Sequence, residues 1–378
     1  MSDKESFAEK RDEYAKTSGV SHVDNAASYD QRRKMSHAEI QSAVRKGSVP
    51  HIQGGEQEAI AIARQGGWEV DALITEMENE CEANPKKGMF DIEFANPKLF
   101  TWLLVAFASM GGMLSGLDQS LISGANLFLP VDLGLSAQQN SLVNSGMPLG
   151  AVGGALLLSP CNEYLGRKNS ILVSCLLYTI GGALEAGSIN YGMIITARVI
   201  LGLGVGLEGG TVPVYVAETV ERRLRGNMVS LYQFNIALGE VMGYAVAAIF
   251  LKVPGNWRYI LGSSLLFSTI MGIGMLFMPE SPRFLMHKGR PVDAFRVWKR
   301  IRGVESADSR EEFFVMKVST EAEEATVAAG RTSKYPWMDF FRVKRARRAL
   351  VYANIMIFLG QFTGESSSTA ALASTWHT

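Results

Sequence analysis

Residues 197–219 read ARVILGLGVGLEGGTVPVYVAET, and this stretch decides the fold. It is long enough to cross a bilayer as a helix, which takes about 20 mostly apolar residues. Gly202, Gly206 and Gly210 recur at every fourth position, so they lie along one face of that helix. This spacing lets a neighbouring helix approach backbone to backbone. The glycines alone are also typical of plain helix packing, so they indicate a helix bundle and no particular activity.

Three charged residues interrupt the same apolar stretch: Arg198, Glu208 and Glu218. A charge inside a membrane span is costly and persists mainly when it pairs or lines a watery cavity. Arg198 therefore indicates a functional site. The glycines also resemble a phosphate-binding loop, but no strand precedes them, so a nucleotide site is rejected.

Composition excludes several classes of function. The chain has 378 residues, is 47% hydrophobic and carries a net charge of zero, so no nucleic-acid partner is implied. The three cysteines are scattered without a C-x-x-C pair, and the five histidines do not cluster, so neither a metal site nor a disulfide framework is supported. No nucleophile–base pair and no cofactor motif stands out. The sequence predicts a protein that is not an enzyme and has no cofactor.

Six apolar runs follow a polar N-terminal region, and each can cross about 30 Å of hydrocarbon at 1.5 Å per residue. We place them at about residues 99–124, 141–160, 169–187, 192–217, 228–251 and 259–278. A seventh run, residues 349–362, is shorter. The sequence therefore predicts an all-α, multi-pass membrane protein with the lipid bilayer as its surroundings.

The flanking segments complete the predicted domain organisation. Residues 1–96 form a polar N-terminal extension, largely disordered by composition, with a short helix marked by an apolar stripe at Val70, Leu73, Ile74 and Met77. The segments after it are a bundle at 97–278, a helical loop at 279–348, the start of a seventh span at 349–364 and a polar tail at 365–378.

Basic residues predict the orientation. They concentrate in alternate connections, around residues 166–168 and 222–225 and after residue 279. Because basic loops stay in the cytoplasm, the N-terminus and the loop at 279–348 are expected there. The plasma membrane is the expected location.

Several motifs occur in order, and together they resemble the sugar porter family of the major facilitator superfamily. In chain order they are Gly116-Leu117-Asp118, Glu163 to Lys168, Arg198 with the glycines that follow it, Pro213-x-Tyr215-x-x-Glu218, Arg225-Gly226, Gln233, Trp257-Arg258 and Pro279-Glu280-Ser281-Pro282-Arg283. The resemblance covers roughly residues 99–364. It implies the N-terminal half of the major facilitator fold, a six-helix bundle of 3+3 inverted repeats.

The resemblance also implies how protons would be coupled to transport. In proton-coupled members of the family, the acid matching Asp118 carries the proton and pairs with the arginine matching Arg198. The hypothesis is that protonation of Asp118 releases Arg198. The alternative is a static buried pair that only fixes helix packing.

A second predicted group of charges lies at the cytoplasmic helix ends. Its members are Glu163, Arg167, Glu218, Arg225, Glu280 and Arg283. The resemblance implies a gate, paired when the carrier faces outward and broken when it faces inward. The alternative is that long side chains anchor helix ends at the membrane surface.

Substrate contacts are implied at two glutamines, Gln233 and Gln361. An amide offers donors and an acceptor, which suits a polyhydroxylated ligand, although Gln233 could equally bond a neighbouring helix. Three carboxylates depart from the family pattern, and their roles stay open: Glu185, Glu208 and Glu240.

The expected function is transport of a small-molecule sugar or polyol with protons by alternating access. The family has twelve spans, so we expect the chain to represent a truncated half-carrier that cannot bury its own charges. A proton-independent facilitator and a non-transporting membrane sensor or scaffold remain alternatives. The substrate and the oligomeric state stay open.

Overall fold

The computed structural model describes residues 67–83, 97–221, 223–253, 255–330 and 344–362. The expectations for residues 1–66, 84–96 and 363–378 fall outside these ranges. The chain divides into two compact units, one of residues 1–84 and 305–322, the other of residues 85–304 and 323–378.

The described segments are helices joined by short connections. In chain order they are α1 (Gly67–Ala83), α2 (Pro97–Ala125), α3 (Leu129–Asp132), α4 (Ala137–Tyr164), α5 (Arg167–Ala186), α6 (Tyr191–Thr219), α7 (Arg225–Phe250), α8 (Asn256–Gly262), α9 (Ser264–Phe277), α10 (Pro282–His287), α11 (Pro291–Arg302), α12 (Ala307–Gly330) and α13 (Lys344–Phe362).

Six segments of the second unit are long and apolar enough to cross a membrane, and they confirm the six predicted spans. They are α2, α4, α5, α6, α7 and the combined stretch Asn256–Phe277. The ends differ from the predicted apolar runs by one to four residues.

Polar caps explain part of this difference in the helix ends. The Ser136 hydroxyl accepts from the Gln139 N–H and Asn190 from the Met193 N–H, so α4 and α6 begin before their apolar runs.

The sixth span is not one continuous helix. Ser263 separates α8 from α9. Three serines donate their hydroxyls to main-chain carbonyls: Ser263 to Ile260 at 2.7 Å, Ser264 to Leu261 at 2.9 Å and Ser268 to Leu265 at 3.1 Å. Such bonds compete with the backbone hydrogen bonds of a helix and often bend helices. The apolar pattern of the sequence alone could not predict the break between α8 and α9.

Glycines set the distance between the most extensively packed spans. On α6, a Cβ at Gly202 would overlap the Met147 carbonyl of α4, and one at Gly206 would overlap the Ala151 carbonyl. On α7, a Cβ at Gly239 would overlap the Met113 carbonyl of α2. The glycine face predicted from residues 197–219 is therefore a helix–helix contact in which the two backbones touch.

The same two contacts reveal the internal symmetry of the bundle. The pairs α4–α6 and α2–α7 are the most extensive of the described unit. They join the second span to the fourth and the first to the fifth. A two-fold axis that maps spans one, two and three onto spans four, five and six also maps one of these pairs onto the other. The two contacts are therefore those expected for 3+3 inverted repeats.

Short helices close one end of the bundle. On α11 the side chains of Ala294, Phe295, Trp298 and Ile301 are buried. The Thr101 hydroxyl of α2 donates to the Ile301 carbonyl at 2.9 Å. α13 begins five residues before the predicted seventh run, within its basic flank, and is outside the spans identified above.

The first unit contains α1 and the beginning of α12. Val70, Leu73, Ile74 and Met77 are all buried on α1, which confirms the predicted stripe. Arg310 of α12 pairs with Asp71 of α1 at 2.7 Å.

The glycine contact leads to a stability prediction. We expect Gly206→Ala to lower the free energy of unfolding by about 1–3 kcal/mol, because the new methyl group overpacks the contact with the Ala151 carbonyl. The measurement is thermal unfolding of the purified protein in detergent. Gly209→Ala on the same helix is the control, since its Cβ would meet only the Tyr232 hydroxyl at 3.9 Å. Equal effects at both positions would contradict the close-contact interpretation.

Candidate proton-coupling and gate sites

A buried ion pair lies between the third and fourth spans. Arg198 Nε of α6 is 2.8 Å from Glu185 Oε1 of α5, and both side chains are 1% exposed. The two atoms do not align as a hydrogen bond, so the contact is mainly electrostatic. Arg198 Nη1 also contacts Met147 Sδ of α4 at 4.0 Å. Moving either charge out of water costs several kcal/mol, which an opposite charge nearby offsets.

Asp118 of α2 is the expected partner of Arg198, but the structure pairs Arg198 with Glu185. Asp118 is also buried, and its Oδ2 has no hydrogen-bond partner in the described part of the chain. It interacts electrostatically with both Glu185 and Arg198. The expectation that this half of a carrier cannot bury its charges is wrong, because the surrounding spans enclose them.

Glu208 adds a third buried carboxylate, on the same helix as Arg198. It is 1% exposed. A Cβ on Gly111 would overlap its Oε1, so the carboxylate lies directly against the backbone of α2. Glu185 and Glu208 depart from the family pattern, and the sequence alone does not give their positions in the bundle. We call Asp118, Glu185, Arg198 and Glu208 the interior charge cluster.

A second cluster joins the helix ends where α5 begins and α6 ends. Arg167 Nη2 of α5 is 2.8 Å from Glu218 Oε1 of α6. The Ser281 hydroxyl, at the N-terminus of α10, donates to Glu218 Oε2 at 2.5 Å. The Arg167 guanidinium also stacks on the Phe284 ring, 5.4 Å from its centroid. These contacts bring α5, α6 and α10 together.

Glu280 receives backbone donors at the same end. Its Oε1 accepts the N–H groups of Arg167, Lys168 and Ser281 at 2.9, 3.0 and 2.9 Å. Gly166 allows this approach, since its φ is +92° and a Cβ there would lie 2.5 Å from Glu280 Oε2. Burial raises the pKa of Glu280, while the three N–H donors and the Arg167 charge oppose that shift. We call Arg167, Glu218, Glu280 and Ser281 the helix-end cluster.

Four of the remaining predicted site residues are exposed, and the side chain of the fifth is not described. The other three predicted gate residues, Glu163, Arg225 and Arg283, have exposed side chains. Gln233 is exposed on α7. Gln361 belongs to α13, and its side chain lies outside the described part of the structure.

Comparison with known proteins identifies the family. The sequence profile of the Sugar (and other) transporter family matches residues 104–370. The chain belongs to the sugar porter family of the major facilitator superfamily. It is therefore an integral, multi-pass membrane protein of a transporter family and not of an enzyme family.

Relatives of this sugar porter include both polyol and sugar carriers. It is 73% identical to the myo-inositol transporter FST1 of Gibberella moniliformis over 82% of this chain and 54% of that protein. It is 32% identical to the galactose-proton symporter of Escherichia coli strain K12 over 71% of this chain and 55% of that protein. The chain spans about half the length of the curated relatives it matches.

A solved structure supports the fold. The proton:xylose symporter XylE aligns with a TM-score of 0.58 at 23% identity, over 66% of this chain and 57% of that one. At this identity the likeness concerns the fold of the sugar porter alone.

The helix-end cluster predicts a charge-swap result. Arg167→Glu leaves three carboxylates together, so we expect the free energy of unfolding to fall by about 1–3 kcal/mol. Adding Glu218→Arg should recover part of the loss, because it restores an opposite pair with the sites exchanged. The measurement is thermal unfolding in detergent, with the exposed Arg223→Glu as control. No recovery in the double variant would contradict a specific Arg167–Glu218 interaction.

Proposed function

We propose that this sugar porter chain is the N-terminal half of a proton-coupled carrier for a sugar or polyol. The observation that carries the proposal is the interior charge cluster, in which a carboxylate, Asp118, lies beside a buried ion pair without sharing in it. A buried acid that can gain or lose a charge next to a guanidinium changes the forces between helices when it titrates.

The arrangement suggests how a proton would act. Arg198 has two carboxylates within electrostatic range, Glu185 and Asp118. With Asp118 protonated, Arg198 rests on Glu185. When Asp118 loses its proton, its negative charge competes for Arg198 and draws α6 towards α2. Arg198 therefore has a carboxylate partner in both states.

The helix-end cluster is proposed as the gate, on the cytoplasmic side that the basic connections indicate. Arg167, Glu218, Glu280 and Ser281 tie three helix ends together through charged and backbone contacts. Breaking a few such contacts would free those ends, which suits a site that opens and closes once per cycle.

A cyclic polyol of the inositol type is the first candidate substrate. The support is the 73% identity to a protein described as a myo-inositol transporter. Gln233, exposed on α7, offers an amide to hydroxyl groups in the pathway. Gln361 remains a predicted contact.

Uptake by the full-length protein tests proton coupling. One proton moved across about 100 mV supplies about 2.3 kcal/mol, which corresponds to roughly 50-fold accumulation of substrate. We expect Asp118→Asn to abolish the accumulation of labelled myo-inositol while downhill exchange continues. The matched control, Asp308→Asn, changes an exposed aspartate and should leave the accumulation of myo-inositol unchanged.

The alternatives give different results in the same assay. If the unmodified protein is a facilitator, the substrate reaches equal concentrations on both sides of the membrane, and a proton uncoupler does not change its uptake. A sensor or scaffold would bind substrate without any flux. Uphill, uncoupler-sensitive uptake by the Asp118→Asn protein would overturn the proposed role of Asp118.

A further inference from the structure

Glu208 is the buried charge that proton coupling through Asp118 and Arg198 does not use. It lies ten residues after Arg198 on α6, about 15 Å further along the helix axis at 1.5 Å per residue. Both of its carboxylate oxygens lack a hydrogen-bond partner in the described part of the chain. It is fully enclosed, with one oxygen against Gly111 of α2.

No cation in the described part of the chain pairs with Glu208. Within the helices that form the spans, the basic residues other than Arg198 stand at or near helix ends, in α2, α5, α7 and α8. Arg198 itself is 2.8 Å from Glu185. Within the described spans, Arg198 is therefore the one buried cation among three buried carboxyl groups, and it is paired with Glu185.

The groups that face Glu208 are neutral or acidic. They come from three neighbouring helices: Asp118 from α2, Cys175 and Tyr178 from α5, and Tyr232 from α7. Asp118 would repel an ionised Glu208, because the two carboxylates interact as like charges. From α9, Met271 approaches Gly111 beside the carboxylate, and it cannot supply a charge either.

A second observation marks the space beside Glu208 as a polar site. Tyr178 is 1% exposed, and its buried hydroxyl has no hydrogen-bond partner among the described residues. It interacts electrostatically with both Glu208 and Asp118. Buried hydroxyls almost always find a partner, and a protonated carboxyl group can both donate to and accept from a hydroxyl.

We propose that Glu208 is a second proton-binding site, separate from Asp118, and that it holds a proton in the conformation described here. The carboxylate takes the proton from water and becomes a neutral carboxylic acid, so its charge is removed without a cation. The interior charge cluster then contains one ion pair and two protonated acids, and it has no net charge. This inference concerns the resting protein and does not depend on transport.

Infrared spectroscopy of the purified protein at neutral pH tests the site directly, because a protonated carboxyl group has a carbonyl band that a carboxylate lacks. We expect Glu208→Gln to remove one such band and Asp118→Asn to remove a different one. The matched control, Glu221→Gln, changes an exposed carboxylate outside the spans and should leave both bands in place. Survival of every protonated-carboxyl band in the Glu208→Gln protein would overturn the proposal.

Isotope labelling keeps the test independent of how the variant folds. In the unmodified protein, glutamate labelled with carbon-13 at the side-chain carboxyl should shift the band assigned to Glu208 and leave that of Asp118 unchanged. If no protonated-carboxyl band shifts, Glu208 is ionised and the proposal is wrong. Loss of proton-coupled uptake in the Asp118→Asn protein reports on the proposed function only, so the two proposals can fail separately.

Discussion

A guanidinium enclosed among apolar helices must be neutralised where it lies, and the arrangement of this bundle follows from that constraint. Placing an arginine at the centre of a membrane helix costs at least about 2.5–3.5 kcal/mol. Glu185 on the preceding span neutralises Arg198; it lies 2.8 Å away and is equally buried. The pair joins α5 to α6 and does not include Asp118.

The enclosure of these charges depends on close helix packing. Gly202 and Gly206 let α6 meet α4, and Gly239 lets α7 meet α2. Larger side chains at these positions would separate the helices and admit lipid or water between them. The glycine repeat of residues 197–219 and the charges within it are therefore parts of one arrangement, in which the small residues bring the helices together and the acids balance the arginine.

The six spans could be predicted because their signal is local: a run of apolar residues with polar ends. The helix-end contact of Arg167 with Glu218 was also foreseeable, since both occur in motifs at the expected ends of spans. The break at Ser263 was not, because serine is common in helices and its sequence position does not show that its hydroxyl donates to the Ile260 carbonyl.

The partner of Arg198 was mispredicted for a physical reason. Asp118 and Glu185 both reach the buried region, and sequence alone does not give the rotation of a helix about its axis. One signal was available: Glu185 lies just before the end of α5 and Arg198 two turns into α6, so both lie in the neighbouring ends of two consecutive helices. Glu208 has no comparable signal, because its neighbours on α2, α5 and α7 are far away in the sequence.

A double-mutant cycle on the Arg198–Glu185 pair tests the central constraint most directly. Thermal unfolding is compared for Glu185→Gln, Arg198→Gln and the variant with both changes. Breaking a buried pair costs about 3–5 kcal/mol for either single change, and the account predicts that the double variant is more stable than the sum of the two losses requires. Strictly additive losses would contradict it, because they would show that Glu185 does not neutralise Arg198.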